Sequence, residues 1–105
     1  MHLTTLIVDD FFTDPDRIRR EALSLAYPEL EQRPNYPGRN AATRLDIAGL
    51  EQTISTLVHE PLEPRAQTGH GRPRLALEGD RGVCDVHMDF NHWSGIVYLS
   101  RPQDC

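Results

Sequence analysis

The sequence predicts one α+β domain in which two helices precede a run of short β-strands. Three observations lead to this fold class. A capped helical segment begins at Asp14, a second helical pattern begins at Asp46, and β segments broken by glycine and proline follow Pro64. Helices followed by a block of strands are typical of an α+β domain whose strands form a sandwich or barrel. The 105 residues suffice for a single domain, with a helical part over about 1–62 and a β part over about 63–105.

The first helix follows a short predicted strand at residues 3–8, which are rich in β-branched side chains. Asp14 can accept hydrogen bonds from the free amides of a first turn, and Pro15 suits the first helical position. Pro28 is expected to end this helix. Its predicted apolar face carries three residues at helical spacing, Ile18, Ala22 and Leu25.

The second helix is predicted to begin at Asp46 and to end before Pro61. The chain between the helices, over residues 28–44, contains three prolines and is expected to be extended and irregular. The apolar residues that define the second helix are Ile47, Leu50, Ile54 and Leu57.

The β part contains three candidate strands, at residues 74–78, 82–89 and 95–100. In the second of them, the alternation of a strand places His87 and Asp89 on the same face. In the third, four consecutive apolar or aromatic residues predict a strand that is buried on both faces.

Charge and hydropathy together exclude two classes of partner. Acidic residues outnumber basic ones by 16 to 11, and the formal net charge is −5. A chain with this charge balance lacks the basic surface that nucleic-acid binding requires, so we expect no nucleic-acid partner. No stretch approaches the roughly 20 apolar residues of a membrane-spanning helix, and the apolar run at 6–8 is too short for a signal peptide. We therefore expect no membrane partner and a cytoplasmic location. Cys84 and Cys105 are too few for a disulfide framework.

The pair His87 and Asp89 is the main candidate for chemistry. Side chains two positions apart on a strand lie side by side, so an imidazole nitrogen and a carboxylate oxygen can reach one ion. Such a pair supplies two of the three ligands of the facial triad that binds non-haem Fe(II). The simpler interpretation is that Asp89 orients a surface histidine or caps the next turn.

The segment from His87 to Ser100, HMDFNHWSGIVYLS, resembles the iron(II)- and 2-oxoglutarate-dependent oxygenases, particularly the prolyl-4-hydroxylase-like branch. In that family a His-x-Asp strand is followed by a short loop and a hydrophobic strand that ends in Tyr-Leu-Asn or Tyr-Leu-Ser. The Asp-Asp-Phe sequence at 9–11, the Asp-Pro helix start and the Tyr-Pro-Gly-Arg sequence at 36–39 add weaker similarity. The resemblance touches most of the chain, and its specificity rests on residues 83–100.

This resemblance implies a double-stranded β-helix (jelly-roll) core, incomplete in this chain and preceded by the two helices. It implies oxidative decarboxylation of 2-oxoglutarate to succinate, coupled to hydroxylation of a small-molecule or peptide substrate. By position, His87 and Asp89 would be the first two Fe(II) ligands, Tyr98 would contact 2-oxoglutarate, and Trp93 would border the substrate.

The sequence departs from the family pattern at its C-terminal end. The family continues to a distal histidine ligand and a basic residue that holds 2-oxoglutarate, but no histidine follows His92 in this chain. We therefore expect the front part of a longer domain, with an iron site that is incomplete and inactive as these 105 residues alone.

Two other functions fit the same residues. His87, Asp89 and His92 form a local three-ligand set, which would suit a zinc hydrolase with an open water position. The other is a non-catalytic remnant or binding module that has the sheet but no working metal site. Of the other histidines, His59 is expected at a helix C-terminus and His70 in a loop between two glycines.

Overall fold

A computed structural model of the chain describes residues 4–29, 37–65, 68–82 and 92–104. Within these residues, the regular elements are α1 (Pro15–Leu23), β1 (Arg39–Asn40), α2 (Leu50–Val58), β2 (Arg74–Leu75) and a 3-10 helix (Pro102–Asp104). The two strands pair in an antiparallel manner, with Arg39 opposite Leu75 and Asn40 opposite Arg74.

Helix α1 begins where the sequence predicts. The Asp14 side chain accepts a hydrogen bond from the Arg17 backbone N–H at 3.2 Å, and Pro15 occupies the first helical position. Ile18 and Ala22 are buried, which confirms the predicted apolar face at these two positions. The helix ends at Leu23, earlier than the expected end at Pro28.

Local hydrogen bonds explain this early end. The Ser24 hydroxyl donates to the Glu21 carbonyl at 2.6 Å, and the Tyr27 hydroxyl donates to the Ala22 carbonyl at 2.8 Å. Both side chains satisfy carbonyls of the last turn, so the chain can leave the helical path there without unpaired acceptors.

Replacing Asp14 by alanine should destabilise the protein by about 1 kcal/mol, because the first turn of α1 loses its side-chain cap. Thermal unfolding followed by circular dichroism measures the change. Asp14→Asn is the matched control, since an amide oxygen can also cap the turn, and it should retain most of the stability. Equal losses in the two variants would contradict the capping role.

Helix α2 begins four residues later than predicted. Gly49 precedes it with a φ of 73°, in the left-handed region, so a helix cannot run through this position from Asp46. The helix ends at Val58, and His59 caps it with a φ of 59°. The predicted termination before Pro61 and the predicted place of His59 are therefore confirmed.

The segment of residues 37–45 forms backbone hydrogen bonds both to the chain just after α1 and to the chain just before β2. The Ala41 N–H donates to the Pro73 carbonyl at 2.9 Å, and the Ala42 N–H donates to the Ala26 carbonyl at 2.8 Å. Ala41 is buried, and this segment thus contributes to a small apolar core. The buried hydrophobic residues of the described part of the chain are Ile18, Ala22, Ala41 and Val58.

The side chain of Arg74 joins β2 to the segment around β1. Its Nε donates to the Pro37 carbonyl at 2.6 Å, and its Nη1 donates to Asn40 Oδ1 at 2.9 Å. Its Nη2 lies 3.4 Å from the Gly38 carbonyl. Guanidinium groups have several donors in a fixed plane, which allows one side chain to connect three acceptors here.

The predicted jelly-roll core is wrong. The described residues contain two helices and one two-stranded antiparallel sheet, and no jelly-roll core is evident in them. Residues 4–8 of the first predicted strand and residues 95–100 of the last form no strand. The strand predicted at 74–78 is confirmed only as Arg74–Leu75. The strand predicted at 82–89 lies outside the described residues, apart from Gly82.

The exposure of these segments gives the physical reason. Ile96 is 76% exposed and Tyr98 is 82% exposed, where the sequence predicts a strand buried on both faces. The preference of β-branched and aromatic residues for strands expresses packing against neighbouring strands, rather than an intrinsic backbone preference. Among the described residues no strand lies beside 4–8 or 95–100, so the local preference is not realised.

Ionic contacts hold the 3-10 helix against α1. The Asp104 carboxylate accepts hydrogen bonds from the Arg19 guanidinium at 3.0 Å and from the Arg101 backbone N–H at 2.9 Å. The Arg101 N–H, and to a lesser extent Arg19, hold the pKa of Asp104 below its usual range. Arg101 also lies 3.7 Å from Asp16.

None of the helices in the described residues has the length and apolar character needed to cross a membrane.

Candidate functional site

The predicted site residues fall into two groups. His87 and Asp89, the predicted Fe(II) ligands, lie outside the described residues. Trp93, the predicted substrate contact, and Tyr98, the predicted 2-oxoglutarate contact, are both described, as is His92. The described residues therefore include the predicted site from His92 onward, three residues after the predicted ligand pair.

His92 and Trp93 contact the same carboxylate, that of Glu60. His92 Nε2 lies 2.8 Å from Glu60 Oε2, and Trp93 Nε1 donates a hydrogen bond to the same oxygen at 3.0 Å. The imidazole and indole rings meet edge to face, with centroids 6.4 Å apart and an interplanar angle of 88°. We refer to Glu60, His92 and Trp93 as the Glu60 cluster.

The end of α2 positions Glu60. Its backbone N–H donates to the Ser55 carbonyl at 3.1 Å, directly after His59 turns the chain into the left-handed conformation. The Ser55 hydroxyl accepts a hydrogen bond from the Leu62 N–H at 3.0 Å. Ser55 therefore holds the backbone at Glu60 and at Leu62, which fixes the point from which the Glu60 side chain extends.

The two donors stabilise the charged form of Glu60. The hydrogen bond from the Trp93 indole, followed by that from His92, lowers the pKa of the Glu60 carboxyl. This contribution to stability is complete above the ordinary pKa of a glutamate, and it is lost as the pH falls through the lowered value. The Glu60 carboxylate is 45% exposed and His92 is 77% exposed, so water screens the interaction.

Tyr98 lies apart from this cluster. Within the described ranges, no hydrogen bond or ring contact joins its side chain to Glu60, His92 or Trp93. The side chain is exposed, so a ligand can reach its hydroxyl. The structure thus brings together one of the two described site residues, Trp93, with a histidine and a carboxylate, and leaves Tyr98 on the surface.

The donor chemistry of the predicted metal site fits two of the three positions of a facial triad. An imidazole and a carboxylate, such as those of His87 and Asp89, are ligands that Fe(II) accepts. Among the described residues, no group of three His, Cys, Asp or Glu side chains is arranged to hold an ion. His92 Nε2 points at Glu60, so only its Nδ1 is left for a metal in the alternative zinc set.

Sequence reasoning missed two carboxylates. Glu60 is 32 residues from His92 along the chain, and nothing in the sequence around Glu60 indicates this pairing. Glu51, in the first turn of α2, lies 3.0 Å from His70 Nε2, and the hydrogen bond with His70 lowers the pKa of Glu51. His70 lies in a loop, as predicted, and its carbonyl accepts from Arg44 at 2.6 Å.

Comparison with protein-family models, with curated proteins and with solved structures finds no match to this chain.

Proposed function

We propose that this chain carries the metal-binding part of an Fe(II)- and 2-oxoglutarate-dependent dioxygenase that oxidises a small-molecule or peptide substrate. The observation that carries this proposal is the pair His87 and Asp89, two positions apart, followed by the loop and apolar segment that end in Tyr-Leu-Ser at Ser100. The ligand pair, and not the arrangement of the sheet, is the basis for the proposed chemistry.

The roles in this proposal are divided among four side chains. His87 and Asp89 hold the metal, Tyr98 contacts 2-oxoglutarate, and Trp93 borders the substrate. When bound, the iron and 2-oxoglutarate supply the oxidising chemistry, and the protein supplies binding and orientation. We propose a cytoplasmic location for this activity, and a chain with only two cysteines is compatible with that reducing compartment.

Two structural features support this division. Trp93, four residues after the ligand pair, is attached to the end of α2 through Glu60, which gives its indole a defined position. The Tyr98 side chain is exposed, so its hydroxyl is accessible to a carboxylate-bearing co-substrate. The zinc hydrolase has less support, because His92 Nε2 contacts Glu60.

Binding of Mn(II), a paramagnetic substitute for Fe(II), tests the ligand pair. The chain has one tryptophan, so its indole N–H gives a single NMR signal. Asp89 and Trp93 are four residues apart, which limits the distance between their Cα atoms to about 14 Å. Bound Mn(II) should therefore broaden the indole signal. His87→Ala and Asp89→Ala should each weaken this binding by about tenfold or more.

His59→Ala is the matched control, because it removes an imidazole at the end of α2 and should leave Mn(II) binding unchanged. Equal broadening in His87→Ala and in the unmodified chain would contradict the ligand assignment. Tighter Mn(II) binding on addition of 2-oxoglutarate would support its role as co-substrate. Tight zinc binding that His92→Ala abolishes would support the hydrolase, and no metal binding at all would support the non-catalytic module.

A further inference from the structure

We infer that Glu60 is a positioning residue, which fixes the Trp93 indole and so orients the side chain that borders the substrate. The substrate role of Trp93 rests on the proposed function above, whereas the attachment of Trp93 to Glu60 rests on the geometry of the described residues. Glu60, just after the C-terminal end of α2, thereby joins a site whose other proposed residues all follow residue 82 in the sequence.

The first argument is the arrangement of donors around one oxygen. Glu60 Oε2 accepts from Trp93 Nε1 at 3.0 Å and from His92 Nε2 at 2.8 Å. Hydrogen bonds to an ionised acceptor are stronger than those between neutral groups. Two neighbouring side chains of one loop therefore share a single charged anchor on a different element.

The second argument is the effect on the indole itself. A tryptophan side chain has two torsion angles, and a hydrogen bond at Nε1 restricts both of them. The edge-to-face contact with the His92 ring, at an interplanar angle of 88°, further limits the rotation of the indole. Trp93 is partly buried, so part of its surface is accessible. A rigid aromatic surface binds a ligand at a lower cost in conformational entropy than a mobile one.

The third argument is that the anchor itself is held. Ser55 bonds the backbone at Glu60 through its carbonyl and the backbone at Leu62 through its hydroxyl. The position of Trp93 therefore follows from the end of α2 and does not depend only on its own loop. A change at Glu60 should move Trp93 without unfolding α2, because the carboxylate is not part of the helix.

The single tryptophan allows a direct test. In Glu60→Ala, the indole N–H should exchange with solvent about fivefold faster, the factor expected for the loss of one hydrogen bond to a carboxylate that water screens. The anisotropy of tryptophan fluorescence should fall as well. Glu60→Gln should restore slow exchange in part, because its amide oxygen accepts hydrogen bonds. A role in stability alone would not produce this rescue at the indole.

Glu63→Ala is the matched control, because it removes an exposed carboxylate three residues further along the chain and should leave both signals unchanged. Indole exchange and anisotropy in Glu60→Ala equal to those of the unmodified chain would overturn the inference. These measurements use the chain without metal or 2-oxoglutarate. Failure of the anchor thus appears as unchanged indole signals, and failure of the proposed function appears as unchanged Mn(II) binding in His87→Ala.

Discussion

Replacing Gly38 by alanine should destabilise the protein by about 2 to 5 kcal/mol. Gly38 has a φ of 90°, and a side chain in the left-handed region costs about 1–2 kcal/mol. The position is also buried, and an added Cβ would lie 2.5 Å from the Leu75 carbonyl oxygen. Neither backbone can withdraw easily, because Arg39 pairs with Leu75 directly beside this contact. Overpacking of this kind costs about 1–3 kcal/mol in addition.

Gly79→Ala separates the two causes. Gly79 has nearly the same φ, 88°, but no atom within 4 Å of an added Cβ. We expect it to cost only the conformational term, about 1–2 kcal/mol. Urea denaturation of the two variants measures the difference, which isolates the close approach of Gly38 to β2. Equal losses would mean that the pairing of β1 with β2 does not constrain this position.

Replacing Ile18 by alanine should cost about 2 to 4 kcal/mol, because it removes the largest buried side chain in the described part of the chain. Ile18 is 4% exposed and lies on the face of α1 that also buries Ala22. Few other hydrophobic side chains are buried in the described residues, so the neighbouring side chains cannot repack to fill the cavity that the substitution leaves. Ile18→Val removes a single methyl group and should cost about 0.5–1.5 kcal/mol.

Leu23→Ala is the matched control on the same helix. Leu23 has the same number of carbon atoms as Ile18 but is exposed, and its loss should change the stability by less than about 0.5 kcal/mol. Urea denaturation should rank the variants in the order of burial, with Ile18→Ala the least stable. A loss in Leu23→Ala as large as that in Ile18→Ala would place the core of the protein elsewhere.

The start of α1 was predictable because its causes are local. A side-chain cap at Asp14 and a proline at the next position act within one turn, and neither depends on the rest of the chain. The end of α1 and the start of α2 were less predictable. Ser24 stops α1 through its bond to Glu21, and the left-handed conformation of Gly49 delays the start of α2. Serine and glycine are compatible with several local structures, so their residue types alone do not specify a boundary.

Residues 4–8 and 95–100, which the sequence predicts as strands, form none for the opposite reason. Their apolar and β-branched residues record a preference for packing in a sheet, and that preference needs a neighbouring strand from elsewhere in the chain. Residues 74–78 form a strand only where β1 supplies a partner, at Arg74 and Leu75. The pattern of side chains in one segment does not specify which distant segment will lie beside it in the fold.

The candidate site also has one part that local sequence predicts and one part that depends on the tertiary structure. The residue types of His87, Asp89, Trp93 and Tyr98, and their spacing, are properties of one continuous segment, so they indicate a chemistry without any tertiary information. The contact of Trp93 with Glu60 joins residues 33 positions apart and required the folded chain. Local spacing determines which groups a segment offers, whereas the partners of those groups depend on how the chain closes loops between distant residues.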